Sequence, residues 1–352
     1  MVYIIAAIFI FGVLIAVHEL GHFLAAKACG VRVNEFSIGM GPAVFHKQKG
    51  ETEYSLRILP IGGYCAMEGE DEESEDQRSL GRQGFWKKLL IFAAGALMNF
   101  LAGLLILVIL WSGVSSFSST TLAGFAPEFA REESGLQEGD VIWSINGERV
   151  YLFSDIDLLL NLTGGETNQV VVRRDGENVT LRGVALPYQT YTGANGQAYH
   201  GYGLYVTGEK SSALGVLKHS WLNAVDFVRM VRLSLQMLLT GGASINDLSG
   251  PVGIVSTITQ VGQESKTAAI AAQNILYFAA LIAVNLTVMN LLPLPALDGG
   301  KIFFLVLDAL TMALFKKKIP EKYENYVHTA GFVLLMGLML VVTFLDISKL
   351  FQ

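Results

Sequence analysis

The chain has 352 residues, of which 52% are hydrophobic and only 16% are charged, and its formal net charge is -6. This composition is too apolar for an ordinary soluble domain, and the negative charge argues against a nucleic-acid partner. Two cysteines, Cys29 and Cys65, are too few for a disulfide framework and lack the paired spacing of a zinc knuckle, so the sequence predicts a polytopic protein of the lipid bilayer.

The first predicted element is a membrane span that carries a metal-binding motif. Residues 1–17 contain no charged side chain, and the apolar run continues to Lys27, which is long enough to cross a bilayer. The run lacks the basic start and cleavage site of a signal peptide, so we expect a retained span. Within it lies His18-Glu19-Leu20-Gly21-His22.

Two histidines four residues apart share one face of a helix, so His18 and His22 can bind one Zn²⁺ ion while Glu19 lies beside them as a general base. The alternative is that the three side chains are core polar residues that contact one another. That alternative is disfavoured because three ionisable groups inside a membrane segment are costly without a function.

Residues 31–67 predict a small β-hairpin sheet close to the membrane. Apolar residues alternate imperfectly on both sides of Lys49-Gly50, and Gly39-Met40-Gly41-Pro42 interrupts the first run. The sheet is either a surface connector or an edge strand that pairs with an extended peptide. The acidic run that follows, residues 68–76, predicts a solvated loop without chemistry.

A second span is predicted at about residues 89–111. Its basic flank, formed by Arg82, Lys87 and Lys88, marks the cytoplasmic side, so the N-terminus lies outside and His18 and His22 lie nearer the cytoplasmic face. Gly95 and Asn99 are four residues apart in this span. Asn99 either packs between helices or holds part of the site.

Residues 122–207 predict a soluble domain inserted between membrane segments. Asn146-Gly147 and Asp175-Gly176 are each flanked by apolar strand-like runs, which predicts two hairpins, and residues 155–161 predict a short helix between them. This order resembles a PDZ domain of the kind found in membrane and periplasmic proteases. Such domains bind peptide ends or strands.

The next region, residues 208–262, predicts an interfacial helix. Residues 213–239 interleave apolar residues with ionisable ones, which favours an amphipathic helix on the membrane surface over a true span. Gly250-Pro251-Val252-Gly253-Ile254 predicts a turn that closes the region.

The last region, residues 263–352, predicts two more spans and a third metal ligand. A span begins near Ala268, and Pro293 and Pro295 open its backbone at about the depth of the histidines. A catalytic zinc commonly has three protein ligands, so Asp298 completes the set with His18 and His22. The alternative is a simple helix terminator at the membrane surface.

A fourth span is predicted at about residues 323–345. The preceding Lys316-Lys317-Lys318 lies inside by the charge rule, which places the C-terminus outside. His328 in this span is either a helix-interface residue or a further polar participant.

Taken with these motifs, nearly the whole chain resembles the site-2 protease family of intramembrane zinc metalloproteases, specifically its bacterial branch with a PDZ domain. The resemblance implies a polytopic α-helical protein with about four spans over residues 1–111 and 263–352, a membrane-associated hairpin and one inserted α+β PDZ domain. It implies a multi-pass location in the bacterial inner membrane, with the site toward the cytoplasm and the PDZ domain outside. Substrate contacts are implied for Asn285, Asn290, Pro293, Pro295, Gly39 and Gly41.

The implied reaction is hydrolysis of a peptide bond in or near the transmembrane segment of a single-span protein already shortened by another protease. A zinc-activated water and Glu19 as general base would carry it, and anti-sigma factors or remnant signal peptides are the expected substrate classes. The alternatives are a PDZ-bearing membrane adaptor with a structural zinc, and a channel or transporter suggested by the broken helix near Pro293.

Overall fold

The computed structural model describes residues 1–70, 74–193, 197–317 and 320–350. The chain forms two compact units: one consists of Met1–Leu107 and Phe227–Gln352, and the other of Val108–Asp226. The second unit is inserted in the sequence of the first, and the predicted domain limits stay predictions.

The helices are α1 (Val2–Cys29), α2 (Phe85–Ser112), α3 (Arg131–Ser134), α4 (Phe153–Asn161), α5 (Ala213–Thr240), α6 (Pro251–Glu264), α7 (Ala268–Leu291), α8 (Asp298–Phe315) and α9 (Glu321–Leu350), with a 3-10 helix at Ile245–Asp247. The strands are β1 (Val33–Lys49), β2 (Thr52–Met67), β3 (Ser116–Phe125), β4 (Val141–Ile145), β5 (Glu148–Arg149), β6 (Gln169–Arg174), β7 (Glu177–Arg182), β8 (Gln189–Thr192), β9 (Ala198–Gly201) and β10 (Leu204–Lys210).

Four helices of the described chain are long and apolar enough to cross a membrane. They are α1, α2, α7 and the part of α9 from Lys322 to Lys349. These are the four predicted spans, so the polytopic membrane architecture is confirmed. Gly30 caps the C-terminus of α1, and its left-handed φ of 80° lets its amide reach the carbonyls of Ala26 and Lys27.

The hairpin of β1 and β2 is longer and more folded than predicted. Residues 43–49 pair with residues 52–57, while residues 35–38 pair with residues 53–56 on one side and residues 63–66 on the other. Residues 63–66 therefore form one edge of the sheet. The predicted break at Gly39 is a bend inside β1. The bend requires glycine, because the local φ is 87° and a Cβ at this position would lie 2.5 Å from the Leu59 carbonyl oxygen.

Arg57 and Glu35 join the segments of this sheet. Arg57 donates to Glu35 at 2.7 Å, to Ser37 at 3.0 Å and to the Gly41 carbonyl oxygen at 2.6 Å. Tyr64 on the edge segment donates to the other oxygen of Glu35 at 2.6 Å. Burial and the hydrogen bond to Glu35 raise the pKa of Tyr64 to about 12, so this hydroxyl keeps its proton and the contact at neutral pH.

The turn of the hairpin is tied to the end of α1. Glu51 accepts hydrogen bonds from Lys27 at 2.7 Å and from both terminal nitrogens of Arg78 at 2.6 and 2.7 Å. The hydrogen bonds from Arg78 and Lys27 lower the pKa of Glu51 to about 2, so the carboxylate is ionised throughout the neutral range. This cluster sets where the hairpin leaves the span that carries the histidines.

The prediction of a plain solvated loop at residues 68–76 is wrong for part of that loop. Glu68 accepts from Asn34 at 2.8 Å and from Ser74 at 2.6 Å, and Glu70 pairs with Lys301 of α8 at 2.6 Å. Asp71, Glu72 and Glu73 lie outside the described residues. The sequence could not indicate these contacts, because Glu70 and Lys301 are 231 positions apart.

The second unit contains an antiparallel sheet of strand order β10-β3-β4-β6-β7, with β5 paired to β4 and a separate β8-β9 pair. Both predicted hairpins are present: Asn146-Gly147 joins β4 to β5, Asp175-Gly176 joins β6 to β7, and all four residues have positive φ. The sheet begins at Ser116 and ends at Lys210, beyond the predicted limits of 122 and 207. Assignment of this unit to the PDZ fold stays a prediction.

A buried ion pair stabilises this sheet. Asp140 is fully buried, and Arg174 donates to both of its oxygens at 2.8 Å. Asp140 also accepts from the Gln137 amide at 2.9 Å, so it links the turn before β4 to the end of β6.

α5 places its polar residues differently from an ordinary surface helix. Asn223, Asp226 and Arg229 are buried, whereas Leu217 and Trp221 are more than half exposed. α5 is not among the four helices apolar enough to span a membrane. Its predicted interfacial position stays a prediction, but the ionisable residues that suggested a water-facing surface lie partly inside.

The predicted turn at residues 250–254 is wrong, because this segment begins α6. Gly250 caps the helix and Pro251 is its first residue, a position where the missing amide proton costs nothing. Asp346 of α9 accepts from the amides of Gly250 at 2.9 Å and Gly253 at 2.8 Å. A Cβ on either glycine would lie 2.9 Å from this carboxylate, so both glycines make room for it.

Asp346 therefore fixes the N-terminus of α6, which packs against α1 and α7. Ile258 of α6 belongs to a buried cluster with Ala7 and Leu14 of α1 and Ile275 of α7. Gly262 of α6 lies under the Tyr3 ring, where a Cβ would approach to 2.6 Å.

We expect Asp346→Ala to lower the stability of the detergent-solubilised protein by roughly 1–3 kcal/mol, because it leaves two partly buried amides without their acceptor. Asp346→Asn retains an acceptor oxygen and should lose clearly less. Thermal unfolding monitored by circular dichroism checks this, with Glu264→Gln at the exposed end of α6 as control. Equal midpoints for Asp346→Ala and wild type would contradict the capping role.

Candidate metal centre

Three predicted ligands converge in the membrane-spanning unit. His18 and His22 lie one turn apart on α1, with their Nε2 atoms 3.2 Å apart. Asp298 Oδ2 lies 3.1 Å from His18 Nε2 and 3.2 Å from His22 Nε2. All three ligand atoms lie within 4.8 Å of one another, as the ligands of one ion do.

The donor set fits a zinc ion. Asp298 Oδ2 is buried and has no hydrogen-bond partner within the described structure, although it faces two imidazole nitrogens. Two imidazoles and one carboxylate are a common ligand set for catalytic zinc, and three protein ligands leave a coordination position open. The orphaned oxygen and the two nitrogens would all be satisfied by one divalent cation.

A backbone carbonyl sets the orientation of His22. Its Nδ1 donates to the Ile91 carbonyl oxygen of α2 at 2.8 Å in a buried contact. Because Nδ1 carries the proton, Nε2 of the neutral ring keeps its lone pair toward Asp298 and the metal position.

Asn99 can orient the His18 ring in the same way. Its side-chain amide lies 3.5 Å from His18 Nδ1, and its Oδ1 is buried without a partner. Turning the amide so that Oδ1 accepts from Nδ1–H satisfies the oxygen and leaves His18 Nε2 for the metal. Of the two roles that the sequence left open for Asn99, this contact favours the one at the site.

Close packing of α1 and α2 depends on two small residues. A Cβ on Gly21 would lie 2.4 Å from the Ala94 carbonyl oxygen, and a Cβ on Gly95 would lie 2.3 Å from His22 Nε2 and 2.7 Å from His18 Cε1. Gly95 therefore provides the space that both imidazoles occupy. The sequence showed only that Gly95 and Asn99 are four residues apart and did not indicate this role for Gly95.

Glu19 lies beside the ligands and is covered by the hairpin. A Cβ on Gly63 would lie 3.3 Å from Glu19 Cγ, so the edge segment of residues 63–66 lies against the predicted base. The sequence indicated Gly39 and Gly41 as the hairpin residues of the site. The structure places those two where β1 bends against Leu59 and Ile58, and their predicted substrate contact stays a prediction.

The turn between α7 and α8 delivers Asp298. α7 ends at Leu291, Pro293 and Pro295 prevent its continuation, and Asp298 is the first residue of α8. Cβ atoms on Gly299 and Gly300 would lie 2.1 Å from the Leu292 and 2.4 Å from the Leu294 carbonyl oxygens, so α8 starts tightly against the turn. The predicted break in the helix is present.

The predicted substrate-contacting asparagines lie on α7, Asn285 exposed and Asn290 half-buried. Between them, Thr287 donates to the Ala96 carbonyl oxygen of α2 at 3.0 Å, a contact that the sequence did not suggest. It joins the helix that leads to Asp298 with the helix that orients His22. The substrate roles of Asn285, Asn290, Pro293 and Pro295 stay predictions.

A polar cavity of about 590 Å³ lies beside the turn and the start of α8. Its lining includes Glu70, Ala296, Lys301, Glu324 and His328. The Glu70–Lys301 ion pair forms part of its wall.

Comparison with known proteins identifies relatives along the full chain. The sequence model of peptidase family M50 matches residues 6–338. A protein of Clostridium perfringens, whose name provisionally calls it a zinc metalloprotease, is 39% identical and covers 98% of both chains. The regulator of sigma-W protease RasP of Bacillus subtilis is 31% identical and covers 99% of both, and the zinc metalloprotease RasP of Geobacillus kaustophilus is 30% identical and covers 99% of this chain and 98% of its own.

We expect Gly95→Ala to reduce zinc affinity at least about tenfold, because the added methyl group displaces His22 or His18 from the metal position. Zinc retained by purified protein after dialysis against a chelator, measured by atomic emission, checks this. Gly84→Ala is the matched control, since nothing lies within 4 Å of its Cβ position. Full zinc retention by Gly95→Ala would contradict the close approach.

Proposed function

The chain belongs to peptidase family M50, the site-2 proteases, and we propose that it hydrolyses peptide bonds in or beside the transmembrane segment of membrane-protein substrates. It is a metalloprotease of a bacterial membrane-protein family, and its metal is zinc. The observation that carries the proposal is the convergence of His18, His22 and Asp298, with Glu19 adjacent, between helices long enough to span the bilayer.

The proposed reaction divides the work between ligands and base. His18, His22 and Asp298 hold zinc, which when bound would activate a water molecule and polarise the scissile carbonyl. Glu19 takes the proton of the attacking water and passes it to the leaving amine. Because Glu19 lies one residue from His18 and against Gly63, the base is fixed beside the position where the peptide bond must lie.

Substrate binding is proposed at the edge of the hairpin sheet. Residues 63–66 have one paired side, toward residues 35–38, and lie next to Glu19. A transmembrane helix hides its peptide bonds in its own hydrogen bonds, so it must unwind before attack, and an added strand replaces the hydrogen bonds that unwinding removes. Asn285 and Asn290 would hold the extended chain from α7.

The distribution of basic residues supports an orientation in the membrane, and the relatives support a class of substrate. The basic residues before the second and fourth spans support an orientation with the predicted metal ligands toward the cytoplasm and residues 122–207 outside. The Bacillus subtilis relative is named a regulator of sigma-W protease, which supports membrane-anchored regulators such as anti-sigma factors as substrates. Remnant signal peptides are a second class of single-span substrate and would undergo the same peptide-bond hydrolysis.

The inserted unit is proposed to select substrates already shortened by another protease. It contains a cavity of about 230 Å³ between α4 and the segment that leads into β10, lined by Phe153, Ile156, Asp157, Tyr199 and Tyr202 among others. β10 is an edge strand of its sheet, so a peptide end could add to it while an apolar terminal side chain fills the cavity.

The central test is proteolysis in liposomes with a tagged single-span substrate. Glu19→Gln should lower the cleavage rate at least about 100-fold while zinc content is unchanged, because only the proton acceptor is lost. Asp298→Asn should lower both the cleavage rate and the zinc content. Glu264→Gln, at an exposed position on α6, should lower neither quantity. Cleavage that survives Glu19→Gln would reject the base, and a zinc-loaded wild type that cleaves no single-span substrate would favour the membrane adaptor.

The role of the inserted unit has its own test in the full chain. Phe153→Asp should weaken binding of a fluorescent peptide with an apolar C-terminal residue at least about tenfold, because it replaces an apolar lining side chain with a carboxylate that the incoming apolar residue would desolvate. Leu162→Asp at the end of α4, which is 38% exposed, is the control. Fluorescence anisotropy with free and amidated peptides separates capture of a C-terminus from strand addition, and unchanged affinity in Phe153→Asp would reject the cavity.

A further inference from the structure

The turn that carries Asp298 is held from outside by one face of α9. Gly331 lies against Pro295, where a Cβ would approach the proline Cβ to 2.2 Å. His328, three residues earlier and on the same face, accepts a hydrogen bond at its Nδ1 from the Ala296 amide at 3.0 Å. α9 thus contacts two consecutive residues of the turn, Pro295 and Ala296, and Ala296 lies two positions before Asp298.

Ala296 is the residue of the turn that most needs such support. Its φ is +71°, a left-handed conformation that is unfavourable for a residue with a Cβ. The backbone has little freedom to relieve this strain, because Pro295 precedes Ala296 and α8 begins two residues after it. The hydrogen bond to His328 gives the strained amide a defined partner and so favours this conformation over others.

The His328 ring is itself oriented for this contact. It packs against Phe304 of α8, with ring centroids 5.3 Å apart. Accepting at Nδ1 requires the neutral tautomer with its proton on Nε2, which lies 3.9 Å from Glu324 Oε1 and makes no hydrogen bond within the described structure. The contact with the turn is therefore the hydrogen bond that the geometry assigns to this side chain.

We propose that His328 is a positioning residue of the zinc centre: its Nδ1 holds Ala296 in the left-handed conformation, so that the turn presents Asp298 Oδ2 to His18 and His22. The inference rests on the proposed function of the same site. Zinc–ligand distances tolerate only about 0.2 Å, so a turn that relaxes by more than this weakens the third ligand. Substitution of His328 leaves the three predicted ligands in place and changes only how often Asp298 Oδ2 lies within reach of His18 and His22.

The test measures zinc retention in detergent against a fixed chelator concentration, which needs no substrate. His328→Leu should lower zinc affinity roughly 10–100-fold, as loss of an outer-shell partner does. His328→Asn should stay within about threefold of wild type, because its Oδ1 takes the place of Nδ1 as acceptor. Melting temperatures of the metal-free proteins should agree, which separates positioning from general loss of fold.

A glycine pair provides a second variant in case His328→Leu fails to fold. Gly331→Ala pushes Pro295 and the turn from the same face and should lose zinc like His328→Leu, while Gly337→Ala on the same helix, with nothing within 4 Å of its Cβ position, should not. Wild-type retention by His328→Leu and Gly331→Ala, or equal losses in His328→Asn and His328→Leu, would overturn the proposal.

The same measurement distinguishes this inference from the proposed function. If wild type holds zinc in an Asp298-dependent manner but cleaves nothing, the protease proposal fails and the His328 result still decides the positioning role. If wild type retains no zinc, both are rejected.

Discussion

The structure depends on one electrostatic constraint: a carboxylate and two imidazoles meet at a single point in apolar surroundings. A buried carboxylate without a compensating positive charge is strongly disfavoured, and the two neutral imidazoles offer lone pairs instead of protons where Nδ1 carries the hydrogen. Asp298 Oδ2 accordingly has no hydrogen-bond partner within the described structure although it is buried. A divalent cation at this point resolves the charge and satisfies all three atoms together.

Meeting that constraint requires backbones to approach closely. α1 reaches α2 through Gly21 and leaves space for its imidazoles over Gly95, while the turn before α8 packs against α9 at Gly331. Each contact brings a backbone or ring to a distance that a Cβ would prevent. Small residues are a general means of helix association in membranes, where the hydrophobic effect supplies no drive between helices. Here they also determine where the predicted metal ligands lie.

The site also requires irregular backbone between helices that are apolar enough to span a membrane. Residues 292–297 lie outside helices, and a segment of this kind is tolerated in a bilayer only where protein satisfies its amides and carbonyls. His328 accepts from Ala296, and the first residues of α8 donate to the Leu297 carbonyl oxygen. On the other side of the site, the edge of the hairpin sheet lies against Glu19. The predicted ligand Asp298 and the predicted base Glu19 thus each lie next to a non-helical segment, Asp298 at the turn of residues 292–297 and Glu19 at the edge of the hairpin sheet.

The sequence by itself determined the elements with strong local signals. Long apolar runs predicted the four spans, the Asn-Gly and Asp-Gly pairs predicted both hairpins of the inserted unit, and helical periodicity placed His18 and His22 on one face. Asp298 was predicted from the ligand count of zinc and the proline break beside it. These features depend on residues within a few positions of one another, where spacing and backbone preference suffice.

Only the tertiary structure decided the partners of those residues. Gly250 and Asp346 are 96 positions apart, His22 and Ile91 are 69 apart, and Ala296 and His328 are 32 apart. The local sequence at residues 250–254 therefore indicated a turn, while a distant carboxylate makes it the start of a helix. Likewise Gly63, not Gly39 or Gly41, lies beside Glu19, because the hairpin folds back on itself. A single sequence records the preferences of each segment, but the contacts between segments arise from packing that only the folded chain defines.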